Sequence, residues 1–210
     1  MKEPRRFGGG LFVLSLAPFL YVAGGLASDI VRRTRVLGSN PIQEAEHQLG
    51  EWALRFLVLT LLVTPLRRTL GWNWLAKHRR TLGLFAFGYA LSHWLVYVLI
   101  DRQLDLQEIL TDVSKRPYIL LGTAALLLML PLALTSTARM IARLGGRRWN
   151  LLHRLVYPAA VAGTAHFWLS KKSDVREPMV FATVFALLFL WRLWKARGNA
   201  APPRHADPAA

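Results

Sequence analysis

Three histidines fall inside apolar stretches of this 210-residue chain: His93, His153 and His166. The last two share the segment Trp149 to Trp168, WNLLHRLVYPAAVAGTAHFW, and lie thirteen residues apart. On a helix rising about 1.5 Å per residue they stand roughly 20 Å apart along the axis, inside an apolar slab about 30 Å thick. An imidazole in hydrocarbon is costly unless its ring nitrogens are engaged, and a metal held within a cofactor is one of the few partners available there. Haem iron is the natural candidate. The chain has no cysteine, which excludes a CxxCH-attached haem, a cysteine-ligated iron-sulfur cluster and a structural disulfide.

Histidines at such depths require membrane helices to hold them. The chain is 53% hydrophobic, and its apolar residues come in runs too long for a soluble fold. Six spans are predicted, at roughly 10 to 27, 51 to 66, 82 to 100, 118 to 136, 150 to 169 and 178 to 195, giving an all-α integral membrane bundle. The second span is short and is expected to start at the interface, with Glu51 and Arg55 in its first turn or so. The connection before it, 29 to 50, is too long for a simple turn, and Glu44 to Leu49 is expected to form a short interfacial helix. The first apolar stretch resembles a signal peptide but is longer than the usual h-region, so it reads as an uncleaved first span. A formal charge of +15 would suggest nucleic acid in a soluble protein. Here Lys and Arg cluster between apolar runs, which points to lipid head groups and excludes a nucleic-acid partner. Sixteen of these cations lie at the two termini and the even-numbered connections, against nine in the odd-numbered ones, so both termini are expected to be cytoplasmic.

Depth then sorts the histidines. His93 lies about twelve residues into the third span from its cytoplasmic end and His166 about seventeen into the fifth, so both fall in the outer half. They can bracket one six-coordinate b-type haem suited to passing electrons. His153 lies near the cytoplasmic end and would serve a second, inner haem, with Pro158 kinking the helix between it and His166. No clear partner for His153 is found; His78, in Lys77-His78-Arg79-Arg80, reads as a solvated loop residue. His47 and His205 are given no role. Haem propionates need cations near the membrane surfaces: Arg55 fits an outer haem, and Arg79, Arg80 and Arg154 an inner one. Snorkelling to head groups is the alternative for each.

The chain resembles the MsrQ family, the haem-binding membrane subunits of the periplasmic protein-methionine-sulfoxide reductase system, within the ferric-reductase-like transmembrane group. The resemblance covers about residues 10 to 197. It rests on Asn40-Pro41-Ile42 with His47 and Gly50, Leu62-Val63-Thr64-Pro65-Leu66, Arg79-Arg80-Thr81-Leu82-Gly83-Leu84 followed by His93, Arg116-Pro117-Tyr118, Thr135-Ser136-Thr137, and Trp149 to Tyr157 with His153 and then His166. Each motif is weak alone; their order and spacing are specific. The resemblance implies one haem b transmembrane domain over 1–197, and the tail over 198–210, rich in Ala and Pro, is expected to be disordered and cytoplasmic. The resemblance also implies a bacterial inner-membrane electron-transfer subunit, non-catalytic or quinol-oxidising. Electrons would come from a membrane quinol or a cytoplasmic flavin reductase and pass to a periplasmic molybdopterin enzyme, MsrP. The family's haem histidines fall on His93, His153 and His166, with one or two haems, and the family also implies an FMN that no residue here can be assigned to. Larger members of the group keep four histidines and add a flavin and nucleotide domain, and this chain departs from both features.

Other function classes fit less well. A transporter or channel using the histidines as a proton or metal pathway would be expected to have paired intramembrane carboxylates, and none are evident. In an assembly or anchor subunit the histidines would only bond backbone. A metalloprotease would need HExxH.

Overall fold

The computed structural model describes residues 6–171 and 173–198, all in helices or short connections. The basic start Met1 to Arg5 and the expected disordered tail from 199 onward, with His205, lie outside the described residues. The helices in order are α1 (Arg6–Arg32), α2 (Pro41–Leu70), α3 (Arg79–Leu95), α4 (Leu106–Lys115), α5 (Pro117–Leu134), α6 (Ala138–Leu144), α7 (Gly146–Leu152), α8 (Val156–Ser170) and α9 (Arg176–Gly198). Among the described residues, five segments are long and apolar enough to cross a membrane: Gly9–Arg32, Pro41–Leu70, Arg79–Asp101, Pro117–Leu134 and Arg176–Arg197. Large apolar side chains such as Leu14, Leu20, Leu120, Leu127, Val161 and Leu187 point outward from these helices and from α8. Such a surface suits lipid and would be a liability in water. The protein is a multi-pass membrane protein.

The central helix is α2, which touches α1, α3, α8 and α9 and buries Phe56, Leu57, Leu61 and Val63. It corrects two expectations. Residues 44–49 form no separate interfacial helix, and the second span is not short. The helix starts at Pro41, where proline is favoured because its missing N–H has no intrahelical partner, and Asn40 caps it by accepting from the Gln43 amide at 3.3 Å. It runs 30 residues to Gly71, whose φ of 72° closes it. That is about 45 Å, well beyond a bilayer core of about 30 Å.

Two prolines inside helices explain how neighbours attach. Pro65 cannot donate to the Leu61 carbonyl, and Arg192 of α9 fills that vacancy at 2.6 Å while its other nitrogen donates to Tyr157 Oη at 3.2 Å. In α1, Pro18 disturbs the ladder, and the buried Tyr89 hydroxyl of α3 inserts there. It accepts from the Phe19 amide and donates to the Ser15 carbonyl, both at 2.8 Å. Elementary accounting of buried backbone groups thus sews α9 and α1 to the bundle.

The expected fifth span, 150 to 169, is not one helix. It breaks into α7, a tight 3-10 turn at His153–Leu155, and α8, which is 15 residues long. Pro158 is the physical cause: it offers no N–H to the Arg154 carbonyl, and its ring crowds that carbonyl. The break therefore lies upstream of the proline, at His153 itself.

Candidate haem site

The starts of α2 and α5 and the ends of α3 and α8 meet at one end of the bundle, around a cavity of about 550 Å³. His93, near the end of α3, and His166, in α8, face each other across it with ring centroids 5.9 Å apart and planes at 73°. His93 Nδ1 is 2.7 Å from the Glu46 carbonyl of α2, and His166 Nδ1 is 2.6 Å from the Tyr118 carbonyl of α5. A carbonyl only accepts, so each Nδ1 carries the proton and each Nε2 keeps its lone pair. That tautomer is the one a metal-binding imidazole needs, fixed by the hydrogen bond that commonly orients such ligands.

Small residues make room for the two rings. A Cβ on Gly50 would stand 3.4 Å from His93 Nδ1, and one on Gly122 would stand 2.7 Å from His166 Nδ1. Ala53, Ala90, Ala125, Ala159 and Gly163 keep the walls thin, while Leu54, Leu57, Leu126 and Met129 make them apolar. Immediately after His93 the helix loosens into a π-type turn at Val96–Asp101, a distortion often found at functional sites.

Charge gathers at the mouth, where Arg102, Lys171, Asp101, Glu46 and Glu51 join the lining. Asp112 of α4, 5% exposed, is bracketed by Arg102 Nε and Arg116 Nε and by the Tyr97 hydroxyl, each at 3.0 Å. The Tyr118 hydroxyl and the Asp112 carboxylate push Arg116 above its already high ordinary value. This network joins the π-type turn after α3, α4 and the first turn of α5, and so steadies the Tyr118 carbonyl that orients His166.

A match to the ferric reductase like transmembrane component spans residues 49–164. A protein-methionine-sulfoxide reductase heme-binding subunit MsrQ from Azospira oryzae is 46% identical over 202 residues, covering 95% of this chain and 84% of the relative. MsrQ proteins of Herminiimonas arsenicoxydans and Rhodospirillum rubrum are 47% and 46% identical, over 90% and 96% of this chain and 86% and 97% of their own. The chain belongs to the MsrQ family of ferric-reductase-like transmembrane proteins.

The MsrQ-type motifs fall unevenly around the cavity. Asn40-Pro41 starts α2, Gly50 backs His93, and Pro117-Tyr118 starts α5 beside His166. His153 stands apart: its ring stacks on Trp149 at 3.9 Å, and its Nε2 lies 3.2 Å from Thr135 Oγ1. Arg79 is close enough to act on it electrostatically, whereas Arg80 turns to a groove between α1 and α3, and Arg154 is exposed. Arg55 lies about 21 Å along α2 from its start. It pairs with Glu51, covers the Trp52 ring at 4.8 Å, and does not line the cavity.

One reading of a histidine is corrected. His78, expected as a solvated loop residue, is 6% exposed, because the 3-10 turn Asn73–Lys77 folds it inward beside Trp74. His47, given no role, lines the cavity, since the early start of α2 carries it into the bundle. Arg102 and Lys171 were counted only as loop charge, and α4 was not foreseen. The helix had a readable signal: Asp105 caps it by accepting from the Glu108 amide, three residues on, at 2.9 Å.

Proposed function

We propose that this chain is a haem b electron-transfer subunit in which His93 and His166 would together hold one haem. The observation that supports this is the pair of Nδ1–H groups tied to the Glu46 and Tyr118 carbonyls, which leaves the Nε2 lone pair free on each of two rings facing one another in one cavity. A metal bonded to both nitrogens at about 2 Å each is compatible with rings 5.9 Å apart. A haem held there would supply reversible one-electron chemistry, and both imidazoles would be committed to holding it. The apolar wall excludes water, and the two carbonyls hold the rings in register. Arg102 and Lys171 line the cavity and Arg55 does not, which makes the first two the cations better placed to meet anionic propionates.

Electrons are proposed to pass from a membrane quinol or a cytoplasmic flavin reductase to a periplasmic methionine-sulfoxide reductase, MsrP. The support is that the relatives are named as heme-binding subunits of that reductase. Those names speak of heme and give FMN no support. Protein purified untagged from haem-sufficient bacterial inner membranes is expected to show a reducible b-type spectrum with low-spin iron. A colourless preparation overturns the proposal.

Six crossings with both termini cytoplasmic are proposed as the topology, with α8 as the additional crossing. Its 15 residues span about 22 Å, and the turn at His153–Leu155 with α7 covers the remainder. The cavity then opens on the periplasmic side, where an electron acceptor could approach it. A reporter fused after Arg197 is expected to read cytoplasmic, and one inserted after Lys171 periplasmic. The reverse pattern would put the cavity on the cytoplasmic side.

A further inference from the structure

A second cluster stands on the rim of the cavity, beside the paired histidines. His47 and Glu51 are four residues apart on α2 and so share a face, and Glu177 reaches them from the first turn of α9. One imidazole nitrogen and one oxygen from each carboxylate lie within 4.8 Å of one another. Glu51 is 7% exposed, and its two oxygens have different fates. Oε2 takes the Arg55 guanidinium, while Oε1 is buried with no hydrogen-bond donor, 3.4 Å from His47 Nδ1. His47 Nε2 is also buried without a hydrogen-bond partner, 3.9 Å from Glu177 Oε2. A buried carboxylate oxygen and a buried ring nitrogen left in this state are costly for a fold to keep.

We propose that His47, Glu51 and Glu177 form a binding site for one divalent transition-metal ion. The donor set decides the class. One imidazole nitrogen with two carboxylate oxygens, and a fourth position open to water, suits Zn²⁺ or a similar ion. Ca²⁺ takes about six to eight oxygens and is poorly served. Bonds of about 2.0 to 2.2 Å place tetrahedral ligand atoms about 3.5 Å apart, so the widest present separation closes by about 1 Å. Glu177 supplies that movement, being half exposed at the start of a helix, while Glu51 and His47 are held by α2 and by Phe167, whose ring lies 5.7 Å from that of His47. The bound ion links α2 to α9 at the mouth of the cavity.

The competing explanation is an ion cluster satisfied by Arg55 and Lys171 alone. Lys171 is the direct competitor, its Nζ lying 3.2 Å from the same Glu177 Oε2. The test uses full-length, haem-loaded protein without a polyhistidine tag, so that haem occupies its own histidines. After EDTA treatment and removal of the chelator, Zn²⁺ is titrated calorimetrically while the haem spectrum is recorded. One saturable site per chain is expected. Both His47→Ala and Glu177→Gln should weaken it by at least about tenfold, the scale of losing a supporting or direct ligand, and Lys171→Ala should tighten it. Because Glu177 is half exposed, Glu177→Gln with an unaltered haem spectrum decides the matter even if His47→Ala folds poorly. No saturable Zn²⁺ site, or a site that Glu177→Gln leaves unchanged, overturns the proposal whatever the haem spectrum shows, and loss of haem alone would count against the haem assignment instead.

Discussion

Replacing either His93 or His166 with alanine is expected to abolish the same low-spin haem b absorption, while His153→Ala leaves that component in place. The two rings are held independently, one by the Glu46 carbonyl of α2 and the other by the Tyr118 carbonyl of α5. Each brings one Nε2 to the shared cavity. Six-coordinate low-spin iron needs both nitrogens, so losing either one ends that state outright rather than weakening it. His153 sits in the turn between α7 and α8, stacked on Trp149 and bonded to Thr135, and contributes nothing to the cavity wall. The measurement is the reduced-minus-oxidised spectrum with haem and protein quantified in each variant. If wild type holds two haems and His153→Ala removes a distinct component, an inner haem sits on His153 and the outer assignment stands. If all three substitutions erase one common signal, the separation of His153 from the haem pair is wrong.

The pairing of His93 with His166 was legible because depth in a membrane is close to a linear coordinate along sequence. Apolar runs mark the spans, and a rise of about 1.5 Å per residue converts position to depth. The same reasoning misjudged α2, because hydropathy reports where lipid is and not where a helix starts. Residues 43–48 are too polar for hydrocarbon, yet Asn40 and Pro41 provide a complete helix start, and the extra turns carry Glu46 to His93 and His47 to the rim. The break at His153–Leu155 was half legible. Pro158 announced a disturbance, but the carbonyl it frees lies four residues earlier, and that offset moves the kink onto His153.

Side-chain partners were less readable than depth. Arg192 counted only as a cytoplasmic cation, although Pro65 in the sequence already implied an unsatisfied Leu61 carbonyl for something to meet. Which donor would meet it depends on α9 packing against α2, a tertiary fact with no local signature. Arg102 and Lys171 were likewise counted as loop charge, and their place at the mouth follows from the π-type turn after His93 and from the end of α8. Arg79 and Arg80 were taken together because they lie at one depth. Successive positions on a helix point about 100° apart, and the two side chains accordingly serve different faces.

Gly122→Val is expected to reduce haem retention about as severely as loss of His166 itself, with Gly122→Ala acting in the same direction. On propensity alone the alanine change should stabilise an α5 helix interior by roughly 1 kcal/mol, so any loss must come from contact. A Cβ there would lie 2.7 Å from Nδ1, 3.0 Å from Cε1 and 3.1 Å from Cγ of His166. The ring is not a loose end that can yield freely, since it is pinned by the 2.6 Å bond to the Tyr118 carbonyl, one turn earlier on the same helix. Either that bond breaks and the ring swings off axis, or α5 and α8 separate around Gly163 and Ala125, which close the neighbouring layer. Both routes misplace Nε2, and disturbing the group that orients a metal-binding histidine typically costs about 10- to 100-fold in metal affinity. Valine adds two methyl groups to the same clash. Gly88→Ala is the control: its Cβ would meet nothing within 4 Å, and the residue lies on the α1 and α3 groove. Haem per protein in membranes of matched expression is the readout. Full occupancy and an unchanged low-spin spectrum in Gly122→Val would mean that His166 does not occupy this position in the haem-loaded protein.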